Sequence, residues 1–163
     1  MTFTKRAMNM KIYDVVIVGG GAAGCVAAGY AAQNGKSVLV LERNRRPARK
    51  ILVTGKGRCN VTNNCEPEEF FKHVRSNPRF LYSALGRFDT SDTKAFFEER
   101  GVALKVERGR RVFPVSDRAE DIVRALVSAC KEIGVNICYE RVTSLRIENS
   151  ELLGLNTEKN SYD

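Results

Sequence analysis

The sequence predicts an α/β protein built on a parallel sheet, and three observations carry that prediction. A β-branched run over residues 13–18 leads directly into Gly19-Gly20-Gly21-Ala22-Ala23-Gly24. An alanine-rich stretch over residues 22–33 reads as a helix that closes at Asn34-Gly35. A second apolar run, residues 37–41, then ends on Glu42. Continuous apolar runs of strand length suit strands buried on both faces. Residues 13–42 thus read strand, glycine turn, helix, strand, a βαβ unit of about thirty residues.

The later elements follow from local pattern. Residues 43–64 read mostly as loop, rich in glycine and cations, with a short apolar interlude Ile51-Leu52-Val53. Four helices are expected beyond it. One covers residues 67–74. Another starts at Pro78, with Asn77 as N-cap and proline in the first turn. A third runs from about Ser91 to Arg100 and stops at Gly101. The clearest starts at Ser116 or Asp117, where Asp117 with Glu120 makes a variant capping box. There Ile122, Val123, Leu126, Val127, Cys130 and Ile133 recur at helical spacing until Gly134 stops them. Residues 104–107 and 110–113 flank Arg108-Gly109 as a hairpin. Residues 136–139 read as a strand, 142–148 as another with Leu145 and Ile147 on one face, and 152–155 as its return after Asn149-Ser150.

Residues 1–9 form a polar lead-in, with Met10 as the expected start of the folded part. Residues 10–163 then form one folded region with a helical excursion at about 64–135. Residues 15–32 carry no charge and imitate a signal peptide or membrane span, but five glycines within them oppose an apolar spanning helix. The 27 Lys and Arg against 19 Asp and Glu give a formal charge of +8. That excess points to a polyanionic partner, either nucleic acid or a phosphate-rich cofactor. Five cysteines are an odd number, which argues for reduced thiols in a cytoplasmic protein.

In its βαβ context the glycine turn has a chemical reading. Gly19 permits the tight turn, Gly21 lets backbone approach a pyrophosphate, and Gly24 allows close packing of helix on strand. The helix start offers unpaired N–H groups and the positive end of its dipole. Glu42, eighteen residues after Gly24, suits a ribose diol and disfavours a 2′-phosphate, hence FAD or NAD rather than NADP. From Arg43 to Arg58 there are seven cations and no carboxylate. Arg43, Lys50 and Arg58 are the expected anion contacts, while Arg45 and Arg46 face water. The loop contains no aromatic residue, which counts against nucleic-acid stacking there. Cys59 and Cys65 lack zinc-ribbon spacing, Cys25 and Cys130 belong to apolar helix faces, and His73 is a surface or packing residue.

Three segments together carry a family resemblance: residues 16–24 around the glycine turn, residues 49–63 ending Gly-Arg-Cys-Asn-Val-Thr-Asn, and residues 109–121 around Phe113-Pro114. In these the chain resembles the BaiN-like, aminoacetone-oxidase-type NAD(P)/FAD-dependent flavoproteins. The resemblance implies a Rossmann-like FAD-binding domain, a parallel sheet with helices plus a β-meander, truncated at its C-terminus. It implies that Gly19, Gly20, Gly21, Ala22, Ala23 and Gly24 hold the FAD pyrophosphate and Glu42 the adenosine ribose. Arg43, Lys50, Gly57, Arg58, Cys59 and Asn60 would lie along the cofactor, and the backbone of Val142 would meet adenine. The implied function is the FAD-binding part of a flavin-dependent oxidoreductase, with NAD(P)H as donor in a longer protein and with no nucleic-acid or membrane partner. Family members run to more than twice this length. The isolated chain is therefore expected to be inactive, with its first strand unpaired on one side. The alternative from composition is a non-enzymatic basic nucleotide- or RNA-binding module.

Overall fold

The computed structural model describes residues 12–163; the expected lead-in over residues 1–9 and the start at Met10 lie outside the described residues. In chain order the first elements are β1 (Val15–Val18), α1 (Ala22–Gln33) and β2 (Val38–Leu41). A 3-10 stretch, Arg49–Gly57, leads to β3 (Thr62–Asn63) and α2 (Pro67–Lys72). A second 3-10 turn, Pro78–Leu81, runs into α3 (Tyr82–Leu85), followed by α4 (Thr90–Glu98), β4 (Leu104–Glu107) and β5 (Arg111–Pro114). The chain ends with α5 (Ala119–Glu132), β6 (Asn136–Cys138), β7 (Val142–Glu148), β8 (Glu151–Thr157) and β9 (Ser161–Tyr162). These elements divide into two compact units, Ala48–Ala129 and the described residues on either side of it.

In the flanking unit β1, β2 and β6 form a parallel sheet in the order β1-β2-β6. All four β2 side chains are buried, as its unbroken Val-Leu run predicts. β1 departs from that pattern. Among the described residues it pairs only with β2, so Val18 remains 60% exposed although its sequence reads as a strand buried on both faces. At the open side the Tyr13 N–H donates to the Asp163 carbonyl at 2.9 Å. β7, β8 and β9 form an antiparallel meander, and its Leu155 and Tyr162 close on Leu39 and Leu41 with Tyr13, Val16, Cys138 and Val142 around them.

In the Ala48–Ala129 unit β5 is the centre of an antiparallel sheet, β3-β5-β4, because Val112, Phe113 and Pro114 are its apolar run. The expected hairpin forms, joined by a 3-10 turn over Arg108–Arg110. Along α5 the predicted stripe is buried at Ile122, Val123 and Leu126, and Gly134 ends the helical stretch at φ +82°.

Three local expectations are corrected. Residues 49–57, read as loop, wind into 3-10 turns broken at Thr54, Gly55 and Lys56. Asn77 stands at the N-cap of the Pro78–Leu81 turn, as expected, but its side chain makes no capping hydrogen bond and its φ is left-handed at 47°. α5 begins at Ala119, two residues beyond the predicted Asp117 start. Asp117 is itself left-handed, and its carboxylate accepts from Lys105 at 2.7 Å. At that helix start Ser116 Oγ accepts from the Arg118 N–H at 3.3 Å and donates to Asp121 at 2.6 Å.

Candidate functional site

In the glycine turn, Gly20 and Gly24 have no room for a side chain, while Gly19 is set by its backbone angle. The Gly19 N–H donates to the Leu41 carbonyl at 2.8 Å, tying the end of β1 to the end of β2, and Gly19 has φ +103°. A Cβ on Gly24 would lie 2.0 Å from the Gly19 carbonyl oxygen. Gly20 is enclosed by Pro47, Glu42 and Val40, whereas a Cβ on Gly21 would meet nothing within 4 Å. Gly21 is the N-cap of α1 and brings no side chain to the helix start. The intrahelical ladder begins with the Cys25 N–H on the Gly21 carbonyl at 2.9 Å. The N–H groups of exposed Ala22 and Ala23 are therefore directed outward at the positive end of the helix. Unpaired donors, a positive dipole end and open space beside Gly21 are what an extended phosphate needs.

Glu42 is buried at the end of β2. Its Oε2 accepts the Gly20 N–H at 2.9 Å, and its Oε1 accepts the Asn44 backbone N–H at 2.8 Å and the Asn44 amide. Here the carboxylate braces the turn, with lone-pair capacity left on Oε2. Arg43 is exposed beside it. Val142 opens the meander, pairs with Thr157, and packs its side chain on the Leu39 and Leu41 core.

The remaining predicted site residues lie in the Ala48–Ala129 unit. Lys50 is exposed. Gly55, Lys56, Gly57 and Cys59 all take left-handed φ values, and a Cβ on Gly55 would come within 2.9 Å of both the Asn60 nitrogen and the Phe113 ring. The loop is thus coiled tightly over β5. The Asn60 amide, turned so that its nitrogen faces carbonyls, donates to Thr62 at 3.0 Å and Val112 at 3.3 Å.

Arg58 is not a free cation. Its guanidinium lies 4.2 Å from the Phe113 ring centroid. Its Nη1 donates to both Glu107 oxygens at 2.9 and 3.1 Å and lies 3.4 Å from Asp117. Lys105 completes the network, 2.7 Å from Asp117 and 3.5 Å from Glu107. The hydrogen bond from Lys105, with Arg58 behind it, holds the Asp117 carboxyl below its ordinary value of 3.8. Asp117 in turn holds Lys105 above 10.5. Sequence reading missed this network because its members lie 49 and 59 residues from Arg58. The one local signal was that Asp117 falls in the Phe113-Pro114 segment.

Two buried thiols, Cys59 and Cys25, are held in the neutral form. Burial pushes the Cys59 thiol up, away from the thiolate that redox chemistry needs. Contact with Cys130, and then burial, push the Cys25 thiol up.

Residues 13–163 match the family model described as HI0933-like protein Rossmann domain. A ribosomal RNA dihydrouridine synthase of Escherichia coli is 37% identical over 124 residues, covering 76% of this chain and 30% of that protein. A 3-dehydro-bile acid delta(4,6)-reductase of Clostridium scindens is 35% identical over 83% of this chain and 32% of its own length. The chain thus spans about a third of the length of these curated relatives. Among solved structures, a 3-ketosteroid-delta4-(5alpha)-dehydrogenase from Rhodococcus jostii superposes with a TM-score of 0.74 at 15% identity, over 98% of this chain and 45% of that one, which shows the fold. Among the described residues no helix is long and apolar enough to cross a membrane.

Proposed function

The chain belongs to the HI0933-like Rossmann-domain family, an FAD-binding fold of flavin-dependent oxidoreductases, and from that premise we propose how its residues hold the cofactor. Gly19, Gly20, Gly21, Ala22, Ala23 and Gly24 wrap the pyrophosphate, and Glu42 turns its remaining acceptor to the adenosine ribose. The backbone of Val142 meets adenine. Arg43, Lys50, Gly57, Arg58, Cys59 and Asn60 lie along the cofactor, with Arg58 acting as a paired, stacked group rather than a bare charge. The carrying observation is the turn itself: Gly24 pressed on the Gly19 carbonyl, and open space beside Gly21 at an uncapped helix start.

FAD, when bound, supplies hydride-accepting and hydride-donating chemistry. The chain's own residues bind and orient it; no side chain is nominated as a general base. NAD(P)H is the proposed electron donor. In place of the expectation of no nucleic-acid partner, the +8 charge favours a polyanionic acceptor of the kind named for the Escherichia coli relative. Five free thiols suit a cytoplasmic setting.

We further infer that the 163-residue chain binds FAD weakly and does not turn over, because β1 is open along one edge. A melting series tests both parts. The midpoint should rise with FAD, by the linkage of ligand binding to folding, and not with riboflavin, which lacks the pyrophosphate and adenosine. Absence of a shift at excess FAD would reject the binding assignment. Stoichiometric flavin absorbance with steady NAD(P)H oxidation would reject the inactivity.

A further inference from the structure

Between Phe70 and Phe88 the chain carries Lys72, Arg75, Arg79 and Arg87 and no aspartate or glutamate. This stretch folds as the end of α2, the turn Pro78–Leu81 and α3. Arg75, Arg79 and Arg87 are exposed. Two aromatic rings stand in solvent beside them, Phe80 at 79% and Tyr82 at 52% exposure. Arg79 and Phe80 lie in the Pro78–Leu81 turn and Tyr82 opens α3, so rings and cations follow one another along this short stretch. The Tyr82 ring is steadied 4.4 Å from that of Phe71. Among the described residues Arg75, Arg79 and Arg87 form no ion pair, and an exposed phenylalanine, which contributes little to folding, next to Arg79 in the chain suits a ligand with both flat faces and negative charge.

A cavity of about 530 Å³ in the same unit is lined by Asn63, Glu69, Phe70, His73 and Arg110, among others. Its wall at His73-Val74 leads along the chain into Arg75. The carboxylate on that wall, Glu69, is answered by Lys72 at 3.1 Å and His73 at 3.2 Å. The size suits one unstacked nucleotide, with the Phe70 ring beside it.

We propose that this face of the Ala48–Ala129 unit docks a single strand of RNA. Arg75, Arg79 and Arg87 meet phosphates, Phe80 and Tyr82 stack on bases, and the cavity receives one base turned out of the strand. Cations interleaved with stacking rings are the requirement for single-strand binding, and rings of this kind reach only unpaired bases. The loop over residues 43–58 has the cations without the rings. The inference deepens the flavoenzyme reading by locating where its polyanionic acceptor is gripped; it rests on that reading for its use, while the binding is measured without flavin.

The test is fluorescence anisotropy of a labelled RNA of roughly 12 nucleotides, within the range one such surface covers, with the whole 163-residue chain. Three phosphate contacts at about −0.7 each predict a log–log salt slope of about −2, so raising salt from about 50 to about 200 mM weakens binding roughly 15–20-fold. Arg75→Gln, Arg79→Gln and Arg87→Gln together should weaken binding at least about tenfold and flatten the slope. Phe80→Ala should cost about tenfold, and Phe80→Trp should retain affinity. The charge-matched control Lys131→Gln, Arg141→Gln and Lys159→Gln should leave affinity unchanged.

Melting midpoints and the FAD shift, measured on every variant, should stay at wild-type values. Absence of binding, equal loss in the control, or stronger binding to the duplex form would overturn the proposal. So would a Phe80→Ala variant that changes self-association while RNA affinity holds. Loss of RNA binding with an intact FAD shift rejects this surface alone. RNA binding as expected without any FAD shift rejects the flavin reading alone.

Discussion

A methyl group on Gly24 would sit 2.0 Å from the Gly19 carbonyl oxygen, and both partners are backbone, so neither can swing aside. Gly24→Ala should destabilise the chain by about 1–3 kcal/mol or more, the range for overpacking, and abolish the FAD-dependent melting shift; urea titration and the melting series check the two effects. Gly21→Ala, with nothing within 4 Å of the added carbon, is the contrast, expected to keep stability while weakening FAD. Asp117 offers a pH prediction. Its folded pKa lies below 3.8 because Lys105 and Arg58 face it. Its contribution is therefore present in full above 3.8 and lost as pH falls through the folded value. Melting midpoints of wild type and Asp117→Asn should differ by a constant amount from pH 7 to about 4 and converge in more acid solution. The glycine positions were legible from spacing alone, since a turn between strand and helix fixes which residues lack room for Cβ. The Asp117 role was not, because its partners arrive through the fold of β4 and the loop before β3.

α4 shows how an element's boundary is decided. Its predicted start at Ser91 moves to Thr90 because Asp89 caps it, accepting from the Ser91 and Asp92 N–H groups at 2.7 and 2.9 Å. The Asp92 carboxylate returns a bond to the Asp89 N–H at 2.9 Å. Asp89→Ala should cost about 1 kcal/mol and Asp89→Ser much less, read from chemical denaturation. Asn77 and Asp117 have the residue type of caps, yet both sit in left-handed backbone. Asparagine and aspartate suit either role, so composition alone left the choice open. β1 and β2 make the same point for strands. Both are unbroken apolar runs, and among the described residues β2 has a neighbour on each side while β1 has one.

At the scale of the whole molecule, the edge that β1 leaves open among the described residues has a physical cost. Ile12 is 79% and Val18 60% exposed along it, and an apolar unpaired edge invites association. Ile12→Lys should reduce concentration-dependent association in sedimentation velocity without lowering the melting midpoint; an unchanged association profile would locate the contact elsewhere. The +8 charge divides between two kinds of place. The cations before Gly57 flank the glycine turn in sequence, whereas those at Arg75, Arg79 and Arg87 stand with exposed rings on a surface that only the folded helices reveal. Local patterning was enough for the βαβ unit, the glycine turn and the meander, because hydrophobic period, glycine placement and helix polarity act over a few residues. Tertiary folding decided that Arg58 is paired, that Glu42 braces the turn and that β1 is an edge, because each depends on groups brought together from 22 to 59 residues apart or on a neighbour that only sheet topology assigns.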